Sequence, residues 1–328
     1  FGVQTLTTGV FSVWLTDGNA GGAAQIAGIM LVVIVGLLMI ERLGRRKARF
    51  HKNSRQSRPV VAARLRGARA WLATGLCTLP FAIGFALPVA VMLDLALRNP
   101  GAWVSPGLVQ ALGNTLLVGG LAAVLTVGGA LFLVYGVRMM GRGMPRLLLP
   151  ITTLGYAAPG AVLAVGVLVP LAALDHRVAD FVLATTGHDP GLLLTGTAAA
   201  IVLAYVVRFF GIAQGAVDAA FGRISPSLPL AARSLGRGAG GTLVSVYLPL
   251  MRGSVATALL VVFVDCVKEL PATMLLRPFN FNTLATRLQE QASLERLGDA
   301  APAALLVMAV GLCAVALLAR ANRPDNRS

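Results

Sequence analysis

Long apolar stretches separated by short polar segments dominate the chain. A bilayer core about 30 Å thick needs about 20 apolar residues in a helix, because every backbone polar group must find its partner inside the segment. Several stretches meet this requirement, and they cover approximately residues 22–40, 71–97, 111–137, 147–171, 192–214, 254–276 and 301–319. The pattern predicts an all-α polytopic membrane protein with about seven transmembrane helices.

Composition agrees with this pattern. Hydrophobic residues make up 56% of the 328 residues, charged residues only 12%, and the mean hydropathy is +0.78. A net charge of +15 would favour nucleic acid as the partner of a soluble protein, but here the cations lie between apolar stretches, where they report orientation in a bilayer. No nucleic-acid partner is therefore expected. Cys77, Cys266 and Cys313 lie apart inside apolar segments, which favours ordinary packing over a metal or disulfide role.

Lysine and arginine predict the orientation of the spans, because cytoplasmic loops are enriched in both. Residues 41–70 carry eleven of the 28 cations and one acid, Glu41. Alternation from this segment places these further residues on the cytoplasmic side: Arg138, Arg142, Arg146, Arg208, Arg223, Arg233, Arg237, Arg252, Arg320, Arg323 and Arg327. The C-terminus is therefore expected in the cytoplasm, and the basic segment is expected to meet anionic lipid headgroups.

A short internal repeat predicts the domain organisation. Four residues recur at a constant offset: Phe1, Thr5, Leu6 and Thr8 match Phe279, Thr283, Leu284 and Thr286. Both copies precede an apolar stretch that ends in basic residues, which indicates two related units. Residues 1–41 would then be the end of a first repeat, 42–70 a basic cytoplasmic linker, 71–320 a second domain with six spans, and 321–328 a cytoplasmic tail. Because the first unit holds one span and the chain starts with Phe, an N-terminally truncated sequence is expected.

The most informative polar segment is 225–249, between the fifth and sixth stretches. Pro226 and Pro229 suit the first turn of a short helix, and Gly236 suits its C-terminal stop. The segment therefore predicts a helix-turn-helix. An apolar stripe on its first helix predicts burial against another surface, such as a partner subunit. The stripe consists of Ala231, Ala232 and Leu235.

This segment resembles the cytoplasmic loop of the permeases of binding-protein-dependent ABC importers. That loop reads Glu-Ala-Ala, three residues, Gly, nine residues, Ile, one residue, Leu-Pro, and Leu230 replaces its Glu here. The departure removes one polar contact to the ATPase and leaves two arginines available. The resemblance implies a type I permease fold in a bacterial inner membrane. It also implies a coupling loop for a dimer of a separate cytoplasmic ABC ATPase. The implied coupling residues are Ala231, Ala232, Arg233, Leu235, Gly236, Arg237, Val246, Leu248 and Pro249.

A second stretch, residues 265–286, narrows the resemblance to the ferric-iron branch of these permeases, whose members fuse two six-span halves. The branch implies ferric iron as the cargo, a periplasmic substrate-binding protein as its donor, and transport by alternating access. ATP and Mg²⁺ would be used by the partner ATPase, so the chain is expected to bind no cofactor and to be no enzyme itself. Thiamine, sulfate, a polyamine or a phosphonate remain alternative cargoes. An ion-coupled secondary transporter and a structural scaffold are more distant alternatives.

Three ionisable residues lie inside the sixth stretch: Asp265, Lys268 and Glu269. Charges at bilayer depth are costly unless they face a cavity or one another, so they mark a pathway or a structural ion pair. Asp265 and Lys268 are three residues apart on one helix face, and this spacing favours the pair as much as the pathway. Direct iron ligation is less favoured, because the resemblance assigns the metal to the binding protein.

Residues 175–189 offer a weaker candidate site in a predicted outer loop. The histidines and carboxylates there suit a hard metal, but a solvated loop is the favoured interpretation, and no metal site is expected. The residues in question are Asp175, His176, Asp180, His188 and Asp189. The sequence contains no phosphate loop of the Gly-x-x-x-x-Gly-Lys-Ser/Thr type, no Gly-x-Ser-x-Gly turn and no His-Glu-x-x-His motif, which disfavours ATP binding and hydrolytic chemistry in this chain.

Overall fold

The computed structural model describes residues 5–47, 65–140, 149 and 151–321, and these contain helices and connections without strands. Most of the predicted linker and tail, with Arg142, Arg146, Arg323 and Arg327, lies outside the described residues. We number the helices α1 Leu6–Phe11, α2 Ala20–Lys47, α3 Ala68–Arg98, α4 Leu108–Met140, α5 Leu154–Ala157, α6 Gly160–Thr186, α7 Ala198–Gly222, α8 Ser227–Ser234, α9 Ala239–Val267, α10 Pro271–Leu276, α11 Leu284–Ser293 and α12 Leu297–Ala321.

Seven helices in the described residues, α2, α3, α4, α6, α7, α9 and α12, are long and apolar enough to cross a membrane. This confirms the predicted number of spans. The fourth span begins later than predicted, because Ala158 is extended with a ψ of 136° and Pro159 is the N-cap of α6. A residue before proline avoids the helical region. The apolar run after residue 147 is therefore interrupted, and α6 continues to Thr186.

The sixth span also differs from the prediction. It starts earlier, at Ala239, and its α-helix ends at Val267. Lys268 and Glu269 therefore follow the helix instead of lying within it, and α10 begins only at Pro271. The fifth span, α7, starts at Ala198 and contains Arg208 near its middle. The prediction that Arg208 belongs to the cytoplasmic side is wrong, because the charge-based count took no account of a buried partner for this arginine.

Two spans contain a π-helical turn directly before a Leu-Pro pair. In α3 the turn Ala82–Ala86 precedes Pro88, and in α9 the turn Leu243–Tyr247 precedes Pro249. A proline inside a helix lacks the N–H donor and crowds the carbonyl four residues earlier. A widened turn at this point accommodates both effects, and such turns bend helices. Both spans therefore continue through their prolines.

The core of the bundle is formed by α4, α7 and α9. Gly129 of α4 faces the ring of Phe210 in α7, and Gly119 of α4 faces Phe263 in α9. Small residues at these crossings let the helices approach closely, which favours packing where lipid supplies no hydrophobic drive. The contacts also show that α4 and α7 run in the same direction and that α9 runs against them. We call the end of the bundle near Met140 the α8 end.

The peripheral helices pack as two similar units. Helix α12 lies against α9 and the second half of α3, and α11 lies against α12 and α4. On the other side, α1 and α2 lie against α6. Each unit opens with a threonine capping box. The Thr5 N–H donates to Thr8 Oγ1 at 2.7 Å, and the Thr283 N–H donates to Thr286 Oγ1 at 2.9 Å. Thr5, Leu6 and Thr8 therefore adopt the same local structure as Thr283, Leu284 and Thr286, while Phe1 lies outside the described residues.

Candidate functional site

The predicted helix-turn-helix is present at the α8 end. Gly236 follows α8 with a φ of +80°, in the left-handed region that residues with a β-carbon avoid. The Gly236 N–H donates to the Arg233 carbonyl oxygen at 2.9 Å, and the Arg237 N–H donates to that of Ala232 at 3.1 Å. These two bonds form a Schellman motif. A β-carbon on Gly236 would meet no atom within 4 Å, so glycine is required for its backbone conformation alone.

We call residues 225–237 the α8 loop, and its exposed surface differs from the predicted stripe. Ala232 is buried against the chain itself, whereas Ala231 is exposed. Leu228, Leu230 and Leu235 have 46%, 60% and 82% of their surface exposed. The stripe of Ala231, Ala232 and Leu235 therefore does not act as one surface. Leucines are the main apolar side chains that α8 offers to a partner.

The second half of the motif lies in α9. Val246 belongs to the π-helical turn, and Leu248 and Pro249 begin the α-helical part that follows. Val246 and Leu248 are half-buried, while Pro249 is exposed. The motif thus connects a short exposed helix to the start of a long span. A displacement of α8 would be passed directly to α9, because only residues 235–238 separate the two helices.

An aromatic cluster anchors the start of α9 to the core. The Tyr135 hydroxyl donates to the Ala239 carbonyl oxygen at 2.6 Å. Its ring lies 5.6 Å from that of Tyr247 and 6.0 Å from that of Phe221, and the rings of Tyr247 and Phe221 are 4.8 Å apart. These centroid distances are typical of favourable aromatic pairs. The cluster therefore joins α4, α7 and α9 immediately beside the α8 loop.

Two arginines beside this cluster have different partners. Arg138 donates to the Asp218 carboxylate through Nη2 at 2.7 Å and Nε at 3.1 Å, and its guanidinium lies 5.5 Å from the ring centroid of Phe221. Arg233 of α8 donates through Nη2 to the Met139 sulfur at 2.6 Å. The charge of Arg138 is thus paired with a carboxylate of the chain. Arg233 lies beside the neutral groups of Met139 and Tyr135 and has no carboxylate partner among the described residues.

A cavity of about 360 Å³ opens between α8 and the ends of α4 and α7. Aromatic rings form its inner wall and Leu230 and Arg233 lie at its edge. Its lining includes Tyr135, Met139, Phe221, Leu230, Arg233 and Tyr247. The lining combines apolar and polar groups and includes the cations Arg138 and Arg233. Such a lining suits an apolar side chain with a negatively charged neighbour.

The ionisable residues at the end of α9 and directly after it form two separate ion pairs. Lys268 Nζ lies 2.7 Å from Asp265 Oδ1, which confirms the predicted contact at a spacing of three residues. Glu269 turns away from both and pairs with Arg208 of α7, with Nε 3.0 Å from Oε2, although that N–H is not aligned for a hydrogen bond. Glu269 is 7% exposed and Arg208 18% exposed. The second pair is therefore a buried one.

We call Arg208, Glu269 and their contacts the helix-break site, because two helix interruptions meet there. Arg208 Nη1 donates to the Ala158 carbonyl oxygen at 3.1 Å, and the Ala272 N–H donates to Glu269 Oε1 at 3.2 Å. A β-carbon on Gly160 would lie 2.5 Å from Glu269 Oε1. Backbone groups that the interruptions leave without helical partners are thus satisfied by the ion pair, as interior breaks in membrane helices require.

The predicted outer-loop site has a structural role instead. Asp175, His176 and Asp180 lie in α6, so their placement in a loop is wrong. The buried Asp175 carboxylate accepts hydrogen bonds from the N–H groups of Leu193, Leu194 and Thr195 at 3.0, 2.9 and 2.6 Å. It thereby fixes the connection to α7. Among the described residues, no group of three or more His, Cys, Asp or Glu is placed to hold a metal ion.

Sequence reasoning missed three residues of these sites. Tyr135 gave no signal, because one tyrosine in an apolar stretch has no motif. Arg208 is an isolated cation inside such a stretch, and that isolation was the signal of a buried partner. Asp218 is the only acidic residue between Asp189 and Asp265, which marks it as the available partner for a nearby arginine.

Two curated proteins of Haemophilus influenzae are similar to the chain. The Fe(3+)-transport system permease protein FbpB 2 is 25% identical over 311 residues, covering 93% of this chain and 58% of the relative. The Putative ferric transport system permease protein FbpB 1 is 29% identical over 196 residues, covering 58% of this chain and 28% of the relative. The chain thus spans less than two thirds of the length of either relative. No protein-family model matches the sequence.

Solved structures show the same fold. A bacterial ABC transporter involved in the import of the acidic polysaccharide alginate contains a chain with a TM-score of 0.60 and 18% identity, covering 78% of this chain and 97% of that one. The alginate ABC transporter in complex with an alginate pentasaccharide-bound periplasmic protein gives a TM-score of 0.59 at 17% identity, covering 79% and 95%. The chain is an all-α polytopic membrane protein with the type I ABC importer permease fold.

Proposed function

We propose that the chain is the permease subunit of an ATP-driven importer that moves ferric iron delivered by a periplasmic binding protein. The observation that carries this proposal is the similarity to FbpB 2 over 93% of the chain, together with a fold found in importer permeases. Both named relatives are ferric transport permeases, which favours ferric iron over thiamine, sulfate, a polyamine or a phosphonate.

The α8 loop supports an ATP-driven mechanism. It presents an exposed short helix that is joined through Gly236 to a full span, so a force on α8 reaches the membrane helices. A dimer of a separate ABC ATPase would bind this loop and use ATP and Mg²⁺. Its nucleotide-dependent closure would favour one arrangement of the permease over the other, as any driven two-state change requires.

The proposed orientation puts the α8 end in the cytoplasm and the opposite end toward the binding protein. The sequence supports it through the eleven cations of residues 41–70 and the positive-inside rule. In this orientation the C-terminus is cytoplasmic and the membrane is the bacterial inner membrane. The matching capping boxes of α1 and α11 support the proposal that residues 1–41 end one permease repeat and residues 71–320 form the second.

Uptake measurements on the intact transporter test the coupling role of the α8 loop. Gly236→Ala places a residue with a β-carbon in the left-handed conformation, which destabilises the native loop conformation by roughly 1–2 kcal/mol. We expect normal amounts of protein in the membrane but a marked loss of ⁵⁵Fe uptake and of transport-stimulated ATP hydrolysis. Gly238→Ala is the matched control, since Gly238 has a φ of −66° and open space around it.

The cargo is tested with the same cells. A strain lacking the transporter should lose growth on limiting ferric iron and keep growth on limiting thiamine, sulfate, polyamine and phosphonate. If the wild-type gene instead restored uptake of one of the other compounds, that compound and not ferric iron would be the cargo. Uptake that persists without any ATPase subunit would refute the ATP-driven mechanism and favour an ion-coupled transporter.

A further inference from the structure

We propose that the α8 loop binds an acidic surface of its partner through Arg233 and Arg237, and that an apolar side chain of this partner enters the cavity beside Leu230. The inference rests on the proposed function, because the ABC ATPase supplied there is the partner. The chemical character of the contact differs from the one that the family resemblance implies. In that resemblance the loop offers a carboxylate, and in this chain it offers cations.

The charge of the α8 loop is not balanced within the described part of the chain. Arg233 and Arg237 are exposed and have no carboxylate within ion-pair distance there. Asp218 is the only acid between Asp189 and Asp265, and it is already bound by Arg138. Arg223, at the end of α7, donates to the Ser254 hydroxyl at 3.2 Å. The exposed surface around α8 is therefore cationic.

Leu230 removes the negative charge that the family motif has at the centre of the loop. It replaces the Glu of the family motif and exposes 60% of its surface at the edge of the cavity. The loop therefore has an apolar centre with arginines at its edge. Complementary interfaces place opposite charges at such an edge and apolar groups in the buried centre. A partner with carboxylates around one projecting apolar side chain fits this arrangement.

The cavity distinguishes a protein partner from a lipid surface. Its inner wall is built by the rings of Tyr135, Phe221 and Tyr247, which are held by their mutual contacts and by the hydrogen bond to Ala239. A wall fixed in this way provides a pocket of defined shape. Apolar side chains in fixed pockets supply much of the affinity at protein interfaces, whereas lipid headgroups bind to charge alone.

A charge-removal experiment tests the arginines. The purified transporter is titrated with its cognate ATPase subunit at several NaCl concentrations. We expect Arg233→Gln combined with Arg237→Gln to weaken binding by about tenfold or more and to flatten its salt dependence, because charge pairs across an interface are screened by salt. The matched control is Arg98→Gln combined with Arg296→Gln, which removes the same charge at the opposite end and should leave binding unchanged.

A sign test at Leu230 follows in the same assay. Leu230→Glu puts a carboxylate opposite the proposed acidic surface, so we expect it to weaken ATPase binding more than the uncharged Leu230→Gln does. Stronger binding by Leu230→Glu would indicate a cationic partner surface and overturn the proposal. Equal binding by wild type and the double arginine variant at all salt concentrations would also overturn it.

Two further outcomes separate this proposal from others. If the double variant keeps ATPase binding and loses only binding to nanodiscs rich in anionic lipid, the arginines serve headgroups and the proposal is wrong. If wild-type protein neither binds an ATPase nor supports ATP-dependent uptake, the proposed function itself fails. A wild type that transports and a Gly236→Ala variant that does not, with unchanged binding in the arginine variant, would refute only the acidic contact.

Discussion

Charged side chains are paired and buried at the helix-break site, but they are exposed and without a carboxylate partner among the described residues in the α8 loop. At the helix-break site, Arg208 and Glu269 are buried, paired with each other, and bonded to backbone groups of neighbouring segments. In the α8 loop, Arg233 and Arg237 are exposed and lack a carboxylate in the described residues. A charge that is satisfied within the chain contributes to the native structure. A charge left unsatisfied at a protein surface is available to a partner.

This difference separates residues that hold the fold from residues that act on another molecule. Lys268 belongs to an intermediate case, since its side chain is 64% exposed although its partner Asp265 is only 14% exposed. The Asp265–Lys268 pair can therefore be opened toward a pathway at lower cost than the Arg208–Glu269 pair. The sequence grouped Asp265, Lys268 and Glu269 as one candidate set, and the structure divides them between two ion pairs.

The largest expected effect comes from breaking the buried pair. Glu269→Gln leaves the Arg208 guanidinium buried without a counter-charge, and losing one partner of such a pair costs about 3–5 kcal/mol. We expect a lower temperature of unfolding in detergent and less folded protein in the membrane. Glu290→Gln is the control, because its pair with Arg277 is 26–35% exposed and its loss should matter less.

A double variant decides between a structural and a transport role for this pair. Arg208→Met combined with Glu269→Met replaces both charges by apolar side chains, which is often neutral or stabilising for a buried pair. We expect it to recover part of the stability that Glu269→Gln loses, because the Ala158 carbonyl oxygen and the Ala272 N–H lose their side-chain partners. A stable double variant that still imports ferric iron assigns the pair to the fold, whereas a stable double variant without uptake assigns it to the pathway.

The sequence predicted the elements better than their ends. Seven apolar stretches became seven long helices, because burial of backbone groups in lipid admits few other solutions. The fourth span was placed too early, since an apolar run continues through Pro159 although the helix does not. In the sixth span the apolar run continued past Val267, where the helix ends. Apolar composition indicates that a segment spans the membrane. Where the helix ends depends on prolines and on buried charges.

The candidate sites were predictable to different degrees. Gly236 and its turn follow from local chemistry, because a left-handed helix end needs glycine in any surrounding. The partner of Glu269 could not be read from spacing, since Arg208 lies about sixty positions away and meets it only after α7 packs against α9. The inward position of Ala232 likewise depends on how α8 lies on the core. Local sequence signals therefore predict the loop, whereas tertiary contacts determine which of its side chains are exposed.

A smaller effect is expected at Tyr135, which fixes the start of α9 beside the α8 loop. Tyr135→Phe keeps the ring and removes the hydroxyl that donates to Ala239, so its effect on stability should be about 1 kcal/mol. The number of ATP molecules hydrolysed per imported ion should rise, because movement of α8 would be passed less completely to α9. The ratio is measured in proteoliposomes. An unchanged ratio would mean that the aromatic rings alone hold this junction.

Thr242→Val serves as the control for that measurement. Its hydroxyl also makes a hydrogen bond near the start of α9, to the Gly238 carbonyl oxygen at 3.0 Å, but within the same helix. It should reduce stability by a comparable amount without changing the coupling ratio. A similar rise in both variants would assign the effect to general weakening of the first turn of α9.

The smallest effect on stability is expected for Asp218→Asn. This change converts Arg138 from a paired cation into an unpaired one. The Arg138–Asp218 pair is 40–47% exposed, so its loss should cost no more than about 1 kcal/mol. The change frees Arg138 and makes the α8 end more cationic. If a partner surface there is acidic, ATPase binding should strengthen slightly at low salt and return to the wild-type value at high salt. Weaker binding at low salt would show that Asp218 itself contacts the partner, and would place the acid on this side of the interface.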